Sequence, residues 1–412
     1  MYSLAIYIYM FCVNLVAIFN RKARLLMVGH SKTYDILRSG IHEGDNIIWF
    51  HAASLGEFEQ GRPLIEKIRE NHPEYKILLT FFSPSGYEVR KDYKGADVIC
   101  YLPFDTKLNA RKFMRIAKPK MAFFIKYEFW QNYLTALHHR GIPVYSVASI
   151  FRPNQIFFRW YGHKYRNVLR TFAHLFVQNQ KSVDLLRTLN VTNTSIVGDT
   201  RLDRVLQIKE QAKELPLCEA FAKSPLSQSG SSILVAGSSW QPDEDIIIDY
   251  FNSHPNQRLI VAPHVVSDSH LAEIEGKLQR PAVRYSQATA ETAAEAHCLI
   301  IDCYGLLSSI YRYATVAYVG GGFGAGIHNV PEAAVYGVPV IIGPNNQKFR
   351  EARKLIELGG CFEIHNSEEY SSVIDMLTSQ PDSLIKASTA SADYIKANAG
   401  AVDMIYNYVF KG

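Results

Sequence analysis

The sequence predicts an α/β protein with two domains, each built on a doubly wound parallel sheet. Apolar runs of strand length alternate with helix-length segments along most of the 412 residues, and this alternation is typical of parallel sheets. The chain is too long for one core of ordinary size, so two domains of about 200 residues are expected. The stretch from Tyr318 to Pro344 reads as strand, glycine turn, short helix and strand. We therefore expect two similar domains that face each other across a cleft.

The composition excludes several classes of protein. Hydrophobic residues make up 48% and charged residues 20% of the chain, which indicates a globular protein without a long disordered tail. The six cysteines are scattered and form no CxxC pair. We expect neither a disulfide framework nor a zinc site, in keeping with a reducing cytosol.

The charge is distributed unevenly along the chain. Residues 1–200 contain 27 Lys and Arg against 15 Asp and Glu, whereas the remainder contains 17 against 24. A basic half beside an apolar N-terminus indicates an anionic membrane surface or an anionic substrate. Nucleic acid is the alternative, but no recognition helix, zinc finger or RNA-binding aromatic signature is present, so we expect no nucleic-acid partner.

Residues 1–20 are predicted to form an N-terminal membrane anchor or interfacial helix. Met1 to Phe19 has no charged side chain and would just cross a hydrocarbon core as a helix. It lacks the positive start and the cleavage site of a signal peptide. The cations Arg21, Lys22 and Arg24 follow, which places the rest of the chain in the cytoplasm under the positive-inside rule. The alternative is a helix that lies in the interface without crossing it.

The first domain is predicted over residues 21–204, and its first strand, 46–50, leads to Glu57. This carboxylate stands at a helix N-terminus and at the carboxyl edge of the strand. One interpretation is that it only complements the helix dipole, which contributes about 0.3–1 kcal/mol. The other is that it acts on a substrate, because the small residues Ser54 and Gly56 beside it resemble the floor of a cleft.

Further strands of the first domain place two more polar side chains at the same edge. Glu128 follows the predicted strand 121–125, and Arg152 lies in the loop after strand 143–148. The aromatic and basic segment from Phe157 to Phe176 is expected to be a helix with its aromatic side chains inward, with a lipid-facing surface as the alternative. The remaining predicted strands of this domain are 76–82 and 98–102.

The second domain is predicted over residues 231–395. Residues 205–230 lose periodicity and end in a run rich in Ser and Pro, which predicts a linker. Strands are expected at 232–236, 258–262, 299–302, 314–319 and 338–342. A helical pattern from Ala387 to Phe410 gives a C-terminal helix, assigned to residues 396–412, that could cross back to the first domain.

The glycine turn after strand 314–319 is the main candidate for ligand binding. Gly320, Gly321 and Gly322 leave no Cβ in the way of a ligand that approaches the backbone. Asn329 and Glu332 are three residues apart, on one face of the next helical turn. The carboxylate could accept two ribose hydroxyls while Asn329 and backbone N–H groups face a phosphate. This combination suits a sugar nucleotide, and tight turns in an ordinary α/β domain are the alternative.

Several spaced motifs together resemble the bacterial Kdo transferases, which move 3-deoxy-D-manno-octulosonic acid (Kdo) from CMP-Kdo to the lipid A precursor. The resemblance runs from the apolar N-terminus to the end of the chain. It is carried by the segments HAASLGEFEQ (51–60), KYEFW (126–130), VGDTRLD (197–203), AGSSWQPDED (236–245), APH (262–264), YGLLSSIY (304–311) and GIHNVPEAA (326–334).

The resemblance implies a GT-B fold of two Rossmann-like domains, with the acceptor bound by the first and the nucleotide by the second. It also implies inversion at the anomeric carbon, no metal and no cofactor. The expected partners are CMP-Kdo, the lipid A precursor and the cytoplasmic face of the inner membrane. The catalytic domains would lie on the cytoplasmic side.

The resemblance also assigns roles to particular residues. Glu57 matches the general base of the family, and Glu128 matches a second carboxylate that orients a substrate. The CMP phosphate and ribose would be bound by the residues Arg201, Ser238, Ser239, His264, Gly320, Gly321, Gly322, Asn329 and Glu332. The acceptor would contact Ser54 and Gly56, and its phosphates would contact Lys22, Arg24 and Arg152.

The sequence departs from the family pattern at three positions. Many members have a carboxylate at the position of Lys126, a glutamate at that of Leu306 and a histidine at that of Trp240. The first departure removes any role for a carboxylate at 126, and the second removes one contact near the ribose or phosphate. Two other functions stay open at this point: a GT-B enzyme that uses a UDP-sugar, either a transferase or an epimerase, and a membrane-bound nucleotide-binding scaffold without turnover.

Overall fold

The computed structural model describes residues 2–228 and 231–412, and the chain divides into two compact units. Unit 1 contains the residues up to Arg204 together with 399–412, and unit 2 contains Val205–Asn398. The sequence predicts the end of the first domain at residue 204 and a C-terminal segment at residues 396–412. In the structure, the chain passes from unit 1 to unit 2 after Arg204 and returns to unit 1 after Asn398. The C-terminal helix therefore packs with the first half of the chain.

Unit 1 is built on a parallel sheet of seven strands in the order β3-β2-β1-β4-β5-β6-β7. The strands are β1 (Ile47–Ala52), β2 (Lys76–Phe81), β3 (Val98–Tyr101), β4 (Met121–Ile125), β5 (Val144–Ser149), β6 (His174–Val177) and β7 (Thr194–Ile196). Both faces of the sheet are covered: Trp49 packs into one core and Phe50 into the other. This double coverage explains why the strands read as continuous apolar runs.

Strands β1 and β4 are neighbours although two strands separate them in sequence. The strand order reverses at this pair, and ligands of doubly wound sheets bind beyond the carboxyl ends of the strands at such a switch point. Residues 53–57 follow β1 and residues 126–130 follow β4. The topology of unit 1 thus brings the two predicted carboxylates to one edge of the sheet.

The helices of unit 1 cover the sheet, and the first two of them precede its first strand. They are α1 (Tyr2–Val16), α2 (Arg21–Gly40), α3 (Leu55–Asn71), α4 (Pro84–Arg90), α5 (Lys107–Ala117), α6 (Gln131–His138), α7 (Gln180–Arg187), the first turn of α8 (Thr200–Glu210) and α19 (Ala401–Phe410). None of the residues of α1 is buried. Within the described ranges, the structure contains no helix that is both long and apolar enough to cross a membrane.

The segment from Phe157 to Phe176 is not the single helix that the sequence suggested. It forms three short 3₁₀ turns, Ile156–Phe158, Trp160–Gly162 and Arg166–Thr171, and then enters strand β6. The aromatic side chains do pack inward in part, since Phe157 is buried whereas Trp160 is 86% exposed. Crowded aromatic residues have modest helix propensity, so local packing decided the backbone here.

Unit 2 repeats the design with a seven-stranded parallel sheet in the order β10-β11-β9-β8-β12-β13-β14. The strands are β8 (Ser232–Ser239), β9 (Gln257–Pro263), β10 (Ala282–Arg284), β11 (Cys298–Ile300), β12 (Val316–Val319), β13 (Val340–Ile342) and β14 (Cys361–Glu363). Its switch point lies between β8 and β12. The segment after β8 and the glycine turn after β12 therefore share one edge of this sheet.

The predicted linker is structured over most of its described length. Helix α8 continues to Glu210, and α9 (Pro216–Ala222) and α10 (Pro225–Gln228) follow. The buried guanidinium of Arg258 donates hydrogen bonds to the carbonyls of Phe221 and Ala296, and it fastens this segment to β9. Residues 229 and 230, at the end of the breaker-rich run, lie outside the described residues.

The helices that follow complete unit 2, and the C-terminal helical pattern divides into two helices. They are α11 (Gln241–Ser253), α12 (Asp268–Lys277), α13 (Ala290–Glu295), α14 (Leu307–Ile310), α15 (Val330–Ala334), α16 (Arg350–Leu358), α17 (Ser367–Ser379) and α18 (Pro381–Asn398), with 3₁₀ turns at Tyr285–Gln287 and Tyr311–Tyr313. The predicted helix from Ala387 to Phe410 is interrupted between α18 and α19. Gly400 has a φ of 100°, a left-handed conformation that ends a helix.

Candidate active site

The carboxylate of Glu57 lies in the first turn of α3, directly beyond β1 in unit 1. Its Oε2 accepts hydrogen bonds from the backbone N–H groups of Ala53 at 2.6 Å and Ser54 at 3.2 Å. Ser54 is the N-cap residue of α3. The structure thus combines the two interpretations of Glu57: one oxygen caps the helix, and the other has no partner among the described residues.

The surroundings of Glu57 raise the pKa of its carboxyl group. Burial, and next the negative charge of Glu128, raise its pKa from the ordinary 4.5 to about 7, while the Ala53 and Ser54 N–H groups and Lys126 act in the opposite direction. A carboxylate with a pKa near neutrality is both available as a base and strong enough to accept a proton. The space beside it is open, since a Cβ added at Gly56 would meet nothing within 4 Å.

Glu128 is buried at the end of β4 and is held by two ring nitrogens. Its Oε2 accepts a hydrogen bond from Trp130 Nε1 and lies 3.2 Å from Nε2 of His51, whose side chain is fully buried. On its other side, His51 Nδ1 lies 3.2 Å from the carbonyl oxygen and 2.9 Å from the hydroxyl of Thr80. Glu128 is therefore fixed in place by the strands β1 and β2.

Both ring nitrogens of His51 have neighbours within hydrogen-bonding distance. Nδ1 faces the carbonyl oxygen and the hydroxyl of Thr80, and Nε2 faces the carboxylate of Glu128. The Glu128 oxygen that faces His51 is the same Oε2 that accepts from Trp130 Nε1. This oxygen of Glu128 is therefore engaged from two sides.

Lys126 follows β4 directly and has a strained backbone. Its φ is 61°, in the left-handed region that non-glycine residues adopt at a cost of order 1–2 kcal/mol. The conformation is held from both sides by β5, because the Lys126 N–H donates to Val147 O at 2.8 Å and its carbonyl accepts from the Ser149 hydroxyl at 2.6 Å. The strain fixes the direction in which the side chain leaves the strand end.

The predicted cations of unit 1 divide into two groups. Arg201 is bidentate to Asp199, and the Arg152 guanidinium lies 5.7 Å from the centroid of the Tyr127 ring; both lie beyond strands of the sheet. Lys22 and Arg24 lie instead in the first turn of α2. Arg24 donates to the carbonyls of Ala17 and Ile18 and so caps the end of α1. These two residues thus belong to the N-terminal helices.

The glycine turn of unit 2 is packed rather than open, which corrects the prediction that the N–H groups of Gly320 and Gly321 bind phosphate. Gly320 N–H donates to Gly237 O, and Gly321 N–H donates to Asp243 Oδ2. A Cβ at Gly320 would lie 2.4 Å from Ser238 O, and one at Gly322 would lie 2.6 Å from the backbone of Gly343. The three glycines permit close approach of neighbouring chain segments, and two of their N–H groups are already bonded.

The two adjacent serines at the end of β8 have different environments. Ser239 is fully buried and its hydroxyl donates to Glu244 Oε1 at 2.8 Å, so the prediction that it contacts phosphate is wrong. Glu244 is also 3.1 Å from His270 Nε2. Ser238 sits on a bulge with a φ of 52° and is only half-buried. Ser238 therefore remains a candidate ligand-binding hydroxyl.

A stack of three aromatic rings lies beside the same strand end. The ring of His264 stacks on Trp240, at a centroid distance of 4.6 Å, and on His328, at 4.5 Å. Trp240 Nε1 donates to His328 Nε2 at 3.2 Å. Burial, and next the neighbouring His264, lower the pKa of His328. His264 and Trp240 are exposed, so part of the stack is accessible to solvent.

Asn329 and Glu332 are brought together as their spacing suggested. The side-chain amide of Asn329 donates to Glu332 Oε1 at 2.7 Å, and Asn329 is exposed. Helix α15 starts between them and has Pro331 in its first turn, which removes one of the N–H groups expected to face a phosphate. Asn329 directly follows His328 of the ring stack, so the polar pair and the stack adjoin.

Several residues of these sites had not been singled out from the sequence. They are His51, Thr80 and Trp130 in unit 1 and Asp243 and His328 in unit 2. The signals were weak: His51 is a single histidine in an otherwise apolar strand, and Asp243 is one acid among several in α11. Among the described residues, no group of three or more His, Cys, Asp or Glu side chains is arranged to hold a metal ion.

Comparison with known proteins agrees with this architecture. Residues 23–204 match the family model described as 3-deoxy-D-manno-octulosonic-acid transferase (kdotransferase). The chain is 25% identical to 3-deoxy-D-manno-octulosonic acid transferase of Aquifex aeolicus, over 78% of this chain and 83% of that protein. It is 26% identical to the enzyme of the same name from Haemophilus influenzae, over 87% and 85%.

Among solved structures, UDP-GlcNAc 2-epimerase from Neisseria meningitidis shares the fold, with a TM-score of 0.60 and 14% identity over 89% of this chain and all of that chain. Two parallel-sheet α/β units of seven strands each form the GT-B architecture, and the named relatives identify its class as a glycosyltransferase. More specifically, the chain belongs to the 3-deoxy-D-manno-octulosonic acid transferase family. It is an enzyme that transfers Kdo.

Proposed function

We propose that the enzyme transfers Kdo from CMP-Kdo to a lipid A precursor, lipid IVA, with inversion at the anomeric carbon and without a metal or other cofactor. The observation that carries the proposal is the Glu57 carboxylate. One of its oxygens is fixed by two backbone N–H groups, the other has no partner among the described residues, and its pKa is about 7. This is the arrangement that a general base for a sugar hydroxyl requires.

The chemistry follows from these groups. The free oxygen of Glu57 takes the proton of an acceptor hydroxyl as that oxygen forms a bond to the anomeric carbon of Kdo. The bond from this carbon to the CMP phosphate breaks at the same time, and the phosphate leaves with the electron pair. A positioned base contributes about 10²–10⁴-fold to such a step. Glu128, fixed by His51 and Trp130, orients the acceptor on unit 1.

The donor is proposed to bind at the switch point of unit 2. The exposed rings of Trp240 and His264 offer a stacking surface for the cytosine base, and aromatic stacking of a base is worth about 1–3 kcal/mol. The hydroxyl of Ser238 and the Asn329–Glu332 pair supply polar groups for the ribose and the phosphate. These groups replace the N–H donors of Gly320 and Gly321, which are already bonded.

The most direct test is product formation. The purified enzyme is incubated with a CMP-Kdo generating system and lipid IVA, and the product is analysed by mass spectrometry. We expect mass increments of one or two Kdo residues and, when preformed CMP-Kdo is supplied in place of the generating system, an unchanged rate on addition of EDTA. Transfer from a UDP-sugar in place of CMP-Kdo, with no Kdo increment, would contradict the donor assignment; loss of activity with EDTA would contradict the absence of a metal.

We further propose that α1 and the start of α2 hold the enzyme at the cytoplasmic face of the inner membrane. Apolar side chains on α1 and the turn after it are exposed, such as Phe11 at 64% and Phe19 at 90%. The Tyr2 hydroxyl donates to Asp105 Oδ2 at 2.6 Å and ties α1 to unit 1. An apolar helix beside cations is typical of a segment that binds an anionic lipid surface.

The membrane proposal predicts binding to lipid vesicles. The enzyme should sediment with vesicles that contain anionic lipid, and binding should weaken as salt rises, because exposed charges are screened over about 8–10 Å. Phe11→Ser with Phe19→Ser should reduce the bound fraction about 10-fold or more, given the apolar area removed. Val89→Ser, an exposed apolar side chain on α4, serves as the control. Equal binding of all three proteins would contradict the proposal.

A further inference from the structure

Unit 1 contains a half-buried cation that its own fold leaves without a partner. Lys126 follows β4 at the switch point of the sheet. Its backbone N–H and carbonyl are both bonded to β5. Among the residues that the structure describes, its ammonium group has neither a hydrogen-bond acceptor nor an ion-pair partner. A cation that is partly removed from water and makes no direct ion pair is unfavourable unless a ligand provides one.

The backbone at this position is also unfavourable for a lysine. The φ of 61° suits glycine or asparagine, and strained residues of other types concentrate at functional sites. Lys118 is an informative contrast. It has a φ of 37°, but it is exposed and ends helix α5, where a left-handed residue is the ordinary way to stop a helix. No helix end accounts for Lys126.

The charges around Lys126 favour an anion. Arg201 and Arg152 are the nearby cations, and Asp199 and Glu57 are the nearby anions. Asp199 is engaged by Arg201 through both of its oxygens, and one oxygen of Glu57 is engaged by backbone N–H groups. Burial, and next the charge of Arg201, lower the pKa of Lys126. The two nearby anions are thus largely engaged by other groups. The charge around Lys126 is therefore predominantly positive.

We propose that Lys126, together with Arg152, forms a binding site for an oxyanion, a carboxylate or a phosphate, that the bound substrate carries. The assignment to a substrate rests on the proposed function. Three sources of this chemistry exist there: the donor sugar is an octulosonic acid with its own carboxylate, the donor nucleotide carries a phosphate, and the acceptor is a phosphorylated lipid. A lysine binds either group as a point charge with several donors.

The first experiment tests whether an anion binds at Lys126, and it does so without measuring catalysis. A dilute acylating ester is allowed to react with the folded enzyme, and the labelled lysines are quantified by peptide mass spectrometry with and without inorganic phosphate. We expect phosphate to slow the labelling of Lys126 by about 5-fold or more through a charge-assisted contact, and to leave Lys118 unchanged. Equal labelling of Lys126 in both samples would overturn the proposal.

The second experiment identifies the source of the anion. Lys126→Asn removes the charge, and asparagine tolerates the left-handed backbone, so the fold should be retained. We expect KM to rise by about 10-fold or more for one substrate, as for the loss of one charge-assisted hydrogen bond, with substantial recovery in Lys126→Arg. A higher KM for CMP-Kdo identifies the donor, and an unchanged affinity of the variant for CMP then assigns the effect to the sugar carboxylate rather than to the nucleotide phosphate. A higher KM for lipid IVA that disappears with a dephosphorylated acceptor identifies the phosphate.

Two controls separate this site from other effects of the lysine. Lys118→Asn changes the same residue type in the same backbone region at an exposed position, and it should leave both KM values unchanged. Because Lys126 also lowers the pKa of Glu57, a shift of the pH profile with both KM values unchanged would overturn the proposal in favour of base tuning. If the wild-type enzyme does not use CMP-Kdo, the proposed function fails, and the labelling experiment alone decides the site.

Discussion

Replacing Glu57 by glutamine is expected to lower kcat/KM by about 10²-fold or more while the fold remains intact. The amide keeps an oxygen that can accept the Ala53 and Ser54 N–H groups, but it cannot take a proton from an acceptor hydroxyl. In the wild-type enzyme, kcat/KM should rise about tenfold per pH unit below 7 and level off above about pH 8, because the pKa of Glu57 is about 7. Initial rates across pH 5–9 measure both effects.

The same variant should be more stable than the wild type at alkaline pH. The folded-state pKa of Glu57, about 7, lies above the ordinary value of 4.5, so the folded protein binds more protons than the unfolded chain between these pH values. Stability is therefore lost as the pH rises from about 4.5 to about 7. Glutamine removes this cost, and we expect Glu57→Gln to gain on the order of 1 kcal/mol at pH 8 and nothing at pH 4.

A matched control for both measurements is Glu70→Gln, near the other end of α3, where the side chain is exposed. It should change neither the rate nor the pH dependence of stability. Normal turnover by Glu57→Gln would show that another group is the base. A stability difference that is independent of pH would show that the Glu57 carboxyl group titrates normally in the folded protein.

Replacing Asp243 by alanine is expected to destabilise unit 2 by on the order of 3–5 kcal/mol. Asp243 is 1% exposed. It accepts hydrogen bonds from the Tyr318 hydroxyl at 2.7 Å, the Gly321 N–H at 2.9 Å and the Trp240 N–H at 2.9 Å. Alanine leaves three donors without an acceptor, two of them buried, each at a cost of about 1–3 kcal/mol. The glycine turn and the ring stack would lose their common support.

Urea unfolding followed by tryptophan fluorescence isolates this effect. Of the four tryptophans, only Trp240 lies in unit 2, so a background with Trp49, Trp130 and Trp160 replaced by phenylalanine reports on unit 2 alone. Asp243→Asn retains hydrogen-bonding capacity and should lose less. Asp249→Ala, exposed on the same helix, should lose nothing. A loss below about 1 kcal/mol in Asp243→Ala would mean that these bonds contribute little.

Much of the fold could be predicted because periodicity is a local property. The strand Met121–Ile125 was located to the residue, and β1, β5, β8 and β9 were displaced by three residues or fewer at either end. Strands β6, β7, β10 and β14 were missed. The latter three have three residues each, too few for a period to be recognisable, and β6 follows an aromatic segment that resembled a helix.

The candidate site was predictable in position but not in detail. The alternation of strands and helices places Glu57 and Glu128 at the carboxyl ends of strands, and this required no coordinates. Whether a glycine or a serine is free to bind a ligand depends on what its neighbours in space donate and accept. Gly321 and Ser239 proved to be bonded to Asp243 and Glu244, respectively, and nothing in the local sequence distinguishes them from Gly322 and Ser238.

The sequence by itself determined the two-domain α/β architecture, the resemblance to the family and the carboxylate proposed as the base, because each of these depends on residue order along the chain. Only the tertiary structure decided which polar groups are already satisfied, that burial and Glu128 raise the pKa of Glu57 to about 7, and that His51 lies against Glu128. Hydrogen bonding and burial act between residues that are distant in sequence, such as His51 and Glu128, and therefore appear only when the strands are side by side.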